Sequence, residues 1–173
     1  MKILIAIIST ALLLICSAHA FAQEIKVGNY AFSLPGGWSE EMQAQKLLYT
    51  RQTADVDQQR QLVVSHFSSQ GPIADGRLMA ASMSYLSELN KALPPLEQQH
   101  DFTYHDLPGG LPYALIAYQA PDRHVLLGLL VGSSRGILLM TYEGQGAVPA
   151  LEKELDRIMQ SIQLSAPAAS TKP

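Results

Sequence analysis

The stretches HVLLGLLVG, residues 124–132, and GILLMTYE, residues 136–143, decide how this chain folds. Neither HVLLGLLV nor ILLM alternates apolar with polar residues, as a strand with one face in water would. The short SSR linker between the two stretches has the residues of a turn, so they should pair as antiparallel strands. Both faces of these strands must be covered, which predicts a sheet between two layers.

Two helical segments can supply those layers. The segment from about 147 to 161 repeats apolar residues at three- and four-residue steps. These residues are Val148, Leu151, Leu155, Ile158, Met159 and Ile162. The segment DGRLMAASMSYLSELNKALPP, residues 75–95, begins at a plausible N-cap, Asp75, and stops at Pro94. Its predicted apolar face carries Leu78, Met79, Met83, Leu86, Leu89 and Leu93. We interpret its methionines as core filler.

Further strands complete the prediction. EIKVGNYAFSL, residues 24–34, indicates two short strands about a Gly28-Asn29 turn, and KLLYTRQT and RQLVVSHFSS indicate two more. DFTYHDL and PYALIAYQA, joined by PGGL, indicate another hairpin. The sequence therefore predicts an α+β fold, an antiparallel β-sheet sandwiched by helices.

The corner FSLPGGWSE, residues 32–40, ends one of these strands. Pro35 fixes the exit of the strand, the two glycines tolerate a sharp bend, and Trp38 is expected to pack back onto the sheet. The alternative is that the Trp38 ring stacks on a ligand.

The N-terminus predicts export. Residues 1–22 have one Lys, an apolar run and two overlapping A-x-A cleavage sites, the layout of a secretory signal peptide. The sites are Ala18-His19-Ala20 and Ala20-Phe21-Ala22, and we favour cleavage after Ala22. The apolar run is shorter than the roughly 20 residues of a membrane anchor. We predict a signal peptide over 1–22, a domain over 23–164 and a disordered tail over 165–173. Cleavage would remove Cys16, the one cysteine, and leave a periplasmic protein.

Charge argues against some partners. Loss of Lys2 would lower the basic count from 12 to 11 against 15 acidic residues, a net charge of −4. Nucleic acid binding needs clustered Lys and Arg, so we expect no nucleic-acid partner. We also expect no stable membrane insertion after signal cleavage.

No catalytic motif is convincing. Residues 132–136, GSSRG, match the nucleophile elbow G-x-S-x-G, but a strand follows where a helix is needed and the last histidine is His124. We interpret the motif as a tight hairpin and expect no catalytic residues and no cofactor.

The PGGL and PDR turns would bring residue 100 near 119 and residue 124 near 120. Four side chains at that end of the sheet are weak metal-ligand candidates: His100, Asp101, Asp122 and His124.

Aromatic residues provide weak candidates for partner binding. Tyr104, Tyr113, Tyr118 and Tyr142 lie on predicted strands, and we expect most of them in the core. The candidates are Trp38, Tyr104 and His105. His105 and Asp106 could also transfer a proton, but no nucleophile accompanies them.

The whole pattern resembles the PsbP/Mog1-like group, including the DcrB-like proteins. The resemblance rests on LPGGW at 34–38, the strand LLMTYEG at 138–144, and a closing amphipathic helix that ends in Ser161-Ile162. It implies a sheet sandwiched by helices and a role as a protein binder, and it implies no catalytic residues.

We therefore expect a soluble, periplasmic, non-enzymatic protein that binds another envelope or secreted protein through an exposed sheet face, edge or loop end. One version is an immunity or chaperone-like partner of a secreted toxin. A second hypothesis is a carrier of a small apolar ligand or lipid, which predicts a cavity between helix and sheet. A third is an unrecognised metal-dependent hydrolase.

Overall fold

The computed structural model describes residues 22–43, 46–68, 75–92 and 97–165. The strands are β1 (Gln23–Val27), β2 (Tyr30–Leu34), β3 (Ser39–Gln43), β4 (Lys46–Arg51), β5 (Arg60–Ser68), β6 (Glu97–Asp106), β7 (Pro112–Gln119), β8 (His124–Ser133), β9 (Gly136–Gln145) and β10 (Gln163–Leu164). The helices are α1 (Asp75–Ala92) and α2 (Val148–Met159), and a 3-10 turn spans Val56–Gln58.

The strands form two antiparallel sheets. The large sheet has seven strands in the order β3-β4-β5-β9-β8-β7-β6, and the small sheet has the order β1-β2-β10. This confirms the predicted α+β sandwich. The small sheet, with strand β10, was not predicted as a separate layer; β3 was also missed.

One face of the large sheet is sealed, and we call it the sealed face. Helix α2 lies on it with Leu151, Leu155, Ile158 and Met159 buried. The small sheet covers the remainder through Tyr30, Phe32 and Leu34. The one proton of the Tyr30 hydroxyl is donated to, or shared between, the carbonyl oxygens of Gly136 at 2.8 Å and Val131 at 3.1 Å, which ties the small sheet to the β8–β9 hairpin.

The opposite face, which we call the open face, carries α1 over β7 and β8. Leu78 is buried there against Ala114 and Leu130. Tyr85 packs on Ile116 and Leu126. Each buried apolar side chain stabilises the fold by about 1.5–3 kcal/mol. Among the side chains that the structure describes, α1 buries fewer than α2, so by this comparison α1 is held less firmly.

The interpretation of the α1 methionines as core is wrong. Met79 is 52% exposed and Met83 is 59% exposed. The helix turns Leu78, Ser82 and Tyr85 toward the sheet, and a residue one position after Leu78 points about 100° away from that direction. The side chains of Leu86 and Leu89, and the whole of Leu93, lie outside the described part of the chain.

The structure describes little of either end of the chain. Of the predicted signal peptide, Ala22 alone is described, and of the predicted tail, Ser165 alone. Among the helices that the structure describes, none combines the length and the apolar character needed to cross a membrane.

Candidate functional site

A groove runs along α1 on the open face. Its volume is about 790 Å³. The sheet contributes Val63, Phe67, Leu126, Ile137 and Leu139, and the helix contributes Ala81 and Tyr85. A predominantly apolar concavity of this size is typical of a binding site.

The alternation of strand β9 explains the groove. Leu138, Met140 and Tyr142 point into the sealed core and are buried. Ile137 and Leu139, on the opposite side of the same strand, are half-buried. The described part of α1 packs over β7 and β8, so it leaves the apolar surface of β5 and β9 exposed beside it.

Tyr85 forms the wall between helix and groove. Its hydroxyl lies 3.0 Å from Thr141 Oγ1 on β9. The ring stands over Gly128, where an added Cβ would lie 2.5 Å from Tyr85 Cε1. Burial raises the pKa of Tyr85 to about 12, so its hydroxyl stays protonated and able to donate.

The rim of the groove is charged. Lys46, Glu88 and Glu143 lie around the apolar floor. The Glu143 carboxylate also lies 3.3 Å from His124 Nε2. An apolar floor with a few charged groups at its edge gives affinity from the floor and orientation from the edge.

A group of charged and polar side chains around Glu154 lies at the end of the sealed face. It was not predicted from the sequence. Glu154 on α2 accepts hydrogen bonds from Arg60 Nε at 3.1 Å and Arg60 Nη2 at 2.9 Å. It also accepts from Arg51 Nη2 at 3.1 Å and from the Tyr142 hydroxyl at 2.8 Å. We call these four residues the Glu154 network.

The pKa directions agree with the geometry of the Glu154 network. Burial alone would raise the pKa of Glu154, but hydrogen bonds from Arg60 and Tyr142 and the two guanidinium charges outweigh it and lower the pKa. Burial and the bond to Glu154 raise the pKa of Tyr142. Both shifts move the groups away from neutral pH, so the network stabilises the fold and is not suited to exchange protons.

The sequence did contain a signal for the network. Arg51 follows Leu47 and Tyr49 at two-residue steps, so it lies on the same face of β4 as the core residues. Glu154 is three residues after Leu151 and four before Ile158, which places it on the buried stripe of α2. A charge on an apolar stripe needs a partner, and the network supplies it.

The structure describes the side chains of some, but not all, of the predicted metal ligands. The backbone N–H of His124 donates to Asp122 Oδ1 at 3.1 Å, while Asp101 accepts from Gln98 at 3.0 Å. His100 lies opposite Ala117, two residues from the predicted position 119. The turn is centred one half-residue earlier than predicted, with Asp106 opposite Pro112, and the register shifts again between His100 and Thr103. Its side chain is not described. The described side chains contain no group of three or more potential ligands, and the metal hypothesis stays untested.

The predicted partner-binding candidates lie in two places. Trp38 packs on the sealed core, with its ring 6.2 Å from that of Tyr142, as the packing interpretation expects. Tyr104 is 41% exposed. With His105 and Met79 it lines a depression of about 340 Å³ beside α1.

Other predictions concern tyrosines and the GSSRG motif. Tyr118 and Tyr142 are buried, as expected of core residues, and Tyr113 is half-buried. The GSSRG motif forms the tight β8–β9 turn, with Ser133 paired to Gly136. The interpretation as a hairpin is confirmed.

Comparison with known proteins supports the fold. No family model matches the chain, and no curated protein matches it. The solution structure of cyanobacterial PsbP (CyanoP) from Synechocystis sp. PCC 6803 aligns over 86% of this chain and 95% of that chain, at 15% identity and a TM-score of 0.57. The fold is PsbP-like.

Two more solved structures share this PsbP-like fold. LpqN of Mycobacterium tuberculosis, described as involved in cell envelope biogenesis, aligns over 88% of this chain and 95% of that chain, at 16% identity and a TM-score of 0.52. A Bacteroides thetaiotaomicron protein aligns over 84% of this chain at 10% identity and a TM-score of 0.56. This chain spans about half of that longer protein, 49% of its length.

Proposed function

We propose that this protein is a non-enzymatic binding protein of the cell envelope, and that its groove on the open face receives the apolar side of a helix from a partner protein. The observation that carries the proposal is the apolar sheet surface beside α1, where Val63, Ile137 and Leu139 are only half-buried. Such a surface loses contact with water when a partner covers it, and that burial is favourable.

The dimensions fit a helix. Strands β3, β4, β5 and β9 lie side by side on the half of the large sheet that the described residues leave uncovered on the open face. Neighbouring strands are about 4.8 Å apart, so four strands span about 14 Å between their axes. A helix with its side chains is about 10–12 Å wide. One helix therefore fits beside α1 in the mode that places an amphipathic helix in a groove.

The groove offers an anchor and a means of orientation. Phe67 is 56% exposed at its edge, and aromatic side chains, Phe among them, are enriched in protein interfaces. The rim has Lys46 on one strand and Glu88 on α1. Charges of both signs favour one direction of the incoming helix over the other.

We also propose that the protein is exported and that it is related to the DcrB-like proteins. The signal-peptide layout of residues 1–22 supports export. The described role of LpqN in envelope biogenesis is consistent with it. An immunity or chaperone-like role toward a secreted toxin is one form that such binding takes.

A capture experiment with matched variants tests the proposal. The mature protein, immobilised and incubated with envelope extract, should recover a stoichiometric protein partner. Leu139→Glu places a charge on the groove floor and should abolish recovery. Met42→Glu places the same charge at an exposed apolar position on β3, 73% exposed. Met42 pairs with Leu47, which packs on the sealed core, so it lies on the side of the sheet opposite to the groove and the change should leave recovery unchanged. Equal recovery by both variants would refute the groove as the binding surface.

A second candidate, a carrier of a small apolar ligand, is favoured by the groove volume. The 790 Å³ lies within the range of about 300–1,000 Å³ that small-molecule sites occupy. Native mass spectrometry of protein purified from the envelope distinguishes the candidates. A retained lipid-sized mass that Leu139→Glu removes would support the carrier in place of the protein binder.

A further inference from the structure

The outer side of α1 presents apolar side chains that the proposed function does not use. Helix α1 turns Leu78 and Tyr85 toward the sheet. Met83 lies five residues after Leu78, about 140° round the helix, so it points away from the sheet. It is 59% exposed. Met79, on the side of α1 away from the groove, is 52% exposed.

The open face therefore carries an apolar ridge beside an apolar groove. The ridge is the outer side of α1, and the floor of the groove holds Val63, Ile137 and Leu139. The side of α1 that borders the groove has the small residues Ala81 and Ser84, so a second helix can approach it closely. A face with both a ridge and a matching groove is complementary to itself, as a two-fold interface requires.

We propose that, when no other partner is bound, the groove is occupied by helix α1 of a second copy of this chain. The inference rests on the proposed function, because it names a helix that the groove receives. A two-fold axis parallel to α1 moves the helix sideways into the groove of the other copy without reversing it. The two helices then lie parallel in one layer between two large sheets, and Met83 of each copy contacts Leu139 of the other.

The dimensions of the open face suit a stable dimer. Helix α1 has 18 residues, so it is about 27 Å long. The helix and the four-strand surface beside it are together about 25 Å wide. The footprint is then about 700 Å² per copy, close to the roughly 800 Å² per partner of a standard protein interface.

Sedimentation equilibrium of the mature protein tests the proposal, with an expected mass of two copies. Met83→Glu places a charge on the ridge and should weaken the dimer by at least about 10-fold. Met42→Glu places the same charge on the opposite side of the sheet and should leave the dimer intact. A monomer mass at all concentrations up to about 0.5 mM, or equal weakening by both variants, would overturn the proposal.

Cross-linking tests the direction of the axis. Signal cleavage removes Cys16, the one cysteine, so Ser84→Cys gives the mature protein a single thiol. Parallel helices place residue 84 of one copy opposite residue 84 of the other, so mild oxidation should join most of the chains by a disulfide. Lys153→Cys, exposed on α2, is the control and should stay largely unlinked. Equal linking of the two variants, or no linking of Ser84→Cys in a protein that sediments as a dimer, would overturn the arrangement.

One pair of like charges should oppose the dimer. Glu88 lies on the groove side of α1, as Ser84 does, so parallel helices bring the two Glu88 carboxylates toward each other. Glu88→Gln should therefore tighten the dimer by about two- to five-fold. Glu97→Gln, at an exposed position on β6, should change it little. A weaker dimer in Glu88→Gln would contradict the parallel arrangement.

Capture from envelope extract separates this inference from the proposed function. Met83→Glu leaves the groove floor unchanged, so the variant should be monomeric and still recover the envelope partner. If the parent protein is monomeric and Leu139→Glu still abolishes recovery, the dimer is refuted and the proposed function stands.

Discussion

The two helices cover opposite faces of the same sheet, and the shorter one covers it better. Helix α2 has 12 residues and buries Leu151, Leu155, Ile158 and Met159. Helix α1 has 18 residues, yet among its described side chains the buried ones are Leu78 and Ser82. The length of a helix therefore does not determine how well it covers a face of the sheet. The cover depends on whether its apolar stripe faces the sheet and on whether another layer fills the space beside it.

The neighbouring layer accounts for much of the difference. Beside α2, the small sheet fills the remaining width of the sealed face through Tyr30, Phe32 and Leu34. Beside α1, the described residues place no such layer, and the groove remains. We infer that the sealed face supplies most of the stability and that the open face supplies the binding surface.

Truncation of one leucine on each face should show the largest difference between them. Leu155→Ala, in the sealed core, should lower the free energy of unfolding by about 3–4 kcal/mol, from lost burial and a residual cavity. Leu139→Ala, on the groove floor, should lower it by less than about 1.5 kcal/mol, because the side chain is already half in water. Urea denaturation of both variants measures the difference. Similar losses would contradict the assignment of stability to the sealed face.

The Glu154 network should also contribute to the stability of the sealed face. Glu154→Gln removes the carboxylate and leaves the Arg60 guanidinium, 7% exposed, without its counter-charge. We expect a loss of about 2–4 kcal/mol, because an uncompensated buried charge is costly. Glu97→Gln, at an exposed position on β6, is the control and should change stability by less than about 0.5 kcal/mol. A loss no larger than that of the control would show that the network is not a stabilising element.

On the open face, Gly128→Ala tests how α1 is seated. The added Cβ would lie 2.5 Å from Tyr85 Cε1 and 3.1 Å from Ile116 Cγ2, so the Tyr85 wall must move. We expect a loss of about 1–3 kcal/mol in unfolding free energy. Binding at the groove should weaken as well. Partner or ligand affinity, measured beside urea denaturation, checks both; a variant with unchanged stability and affinity would contradict the seating of Tyr85 over Gly128.

Acidification gives the smallest effect, and its sign follows from two groups on the sealed side. Burial lowers the pKa of His66 below its ordinary value of 6.5, so the folded state disfavours the charged ring. The unfolded chain then binds the proton first, and stability should start to fall as the pH drops below about 6.5. The pKa of Glu154 is also lowered, so its contribution is present above about pH 4.5 and is lost as the pH falls through its folded pKa.

Variants separate these two acid steps. His66→Gln should remove the decline in stability that begins near pH 6.5, and Glu154→Gln should reduce the decline at lower pH. Urea midpoints measured from pH 7.5 to pH 3.5 check both steps. If the His66→Gln protein loses stability between pH 7 and pH 5.5 as steeply as the parent, the assignment to His66 is wrong.

Most of the sandwich could be predicted from the sequence, because the period of the apolar residues indicates which faces are buried. The uninterrupted apolar run of β8 predicted a strand covered on both faces, and β8 is buried along nearly its whole length. Strand β3, SEEMQ, was missed because an edge strand paired on one side needs no apolar alternation. Strand β10 has two residues, too few to show any period.

The groove could not be predicted from the sequence, for a different reason. Whether Met79 is buried depends on how α1 is rotated over the sheet, and one sequence does not specify that rotation. Local patterns predict which side chains seek burial, whereas the site depends on which of them remain incompletely buried.

Hydrogen exchange of the mature protein tests the central claim, one sealed face and one open face, most directly. We predict that the amides of α2, residues 148–159, exchange at rates close to those set by global unfolding. The amides of α1, residues 75–92, should exchange at least about 100-fold faster, because few of the side chains described on this helix are buried to oppose its local opening. Equal protection of the two helices would contradict the account.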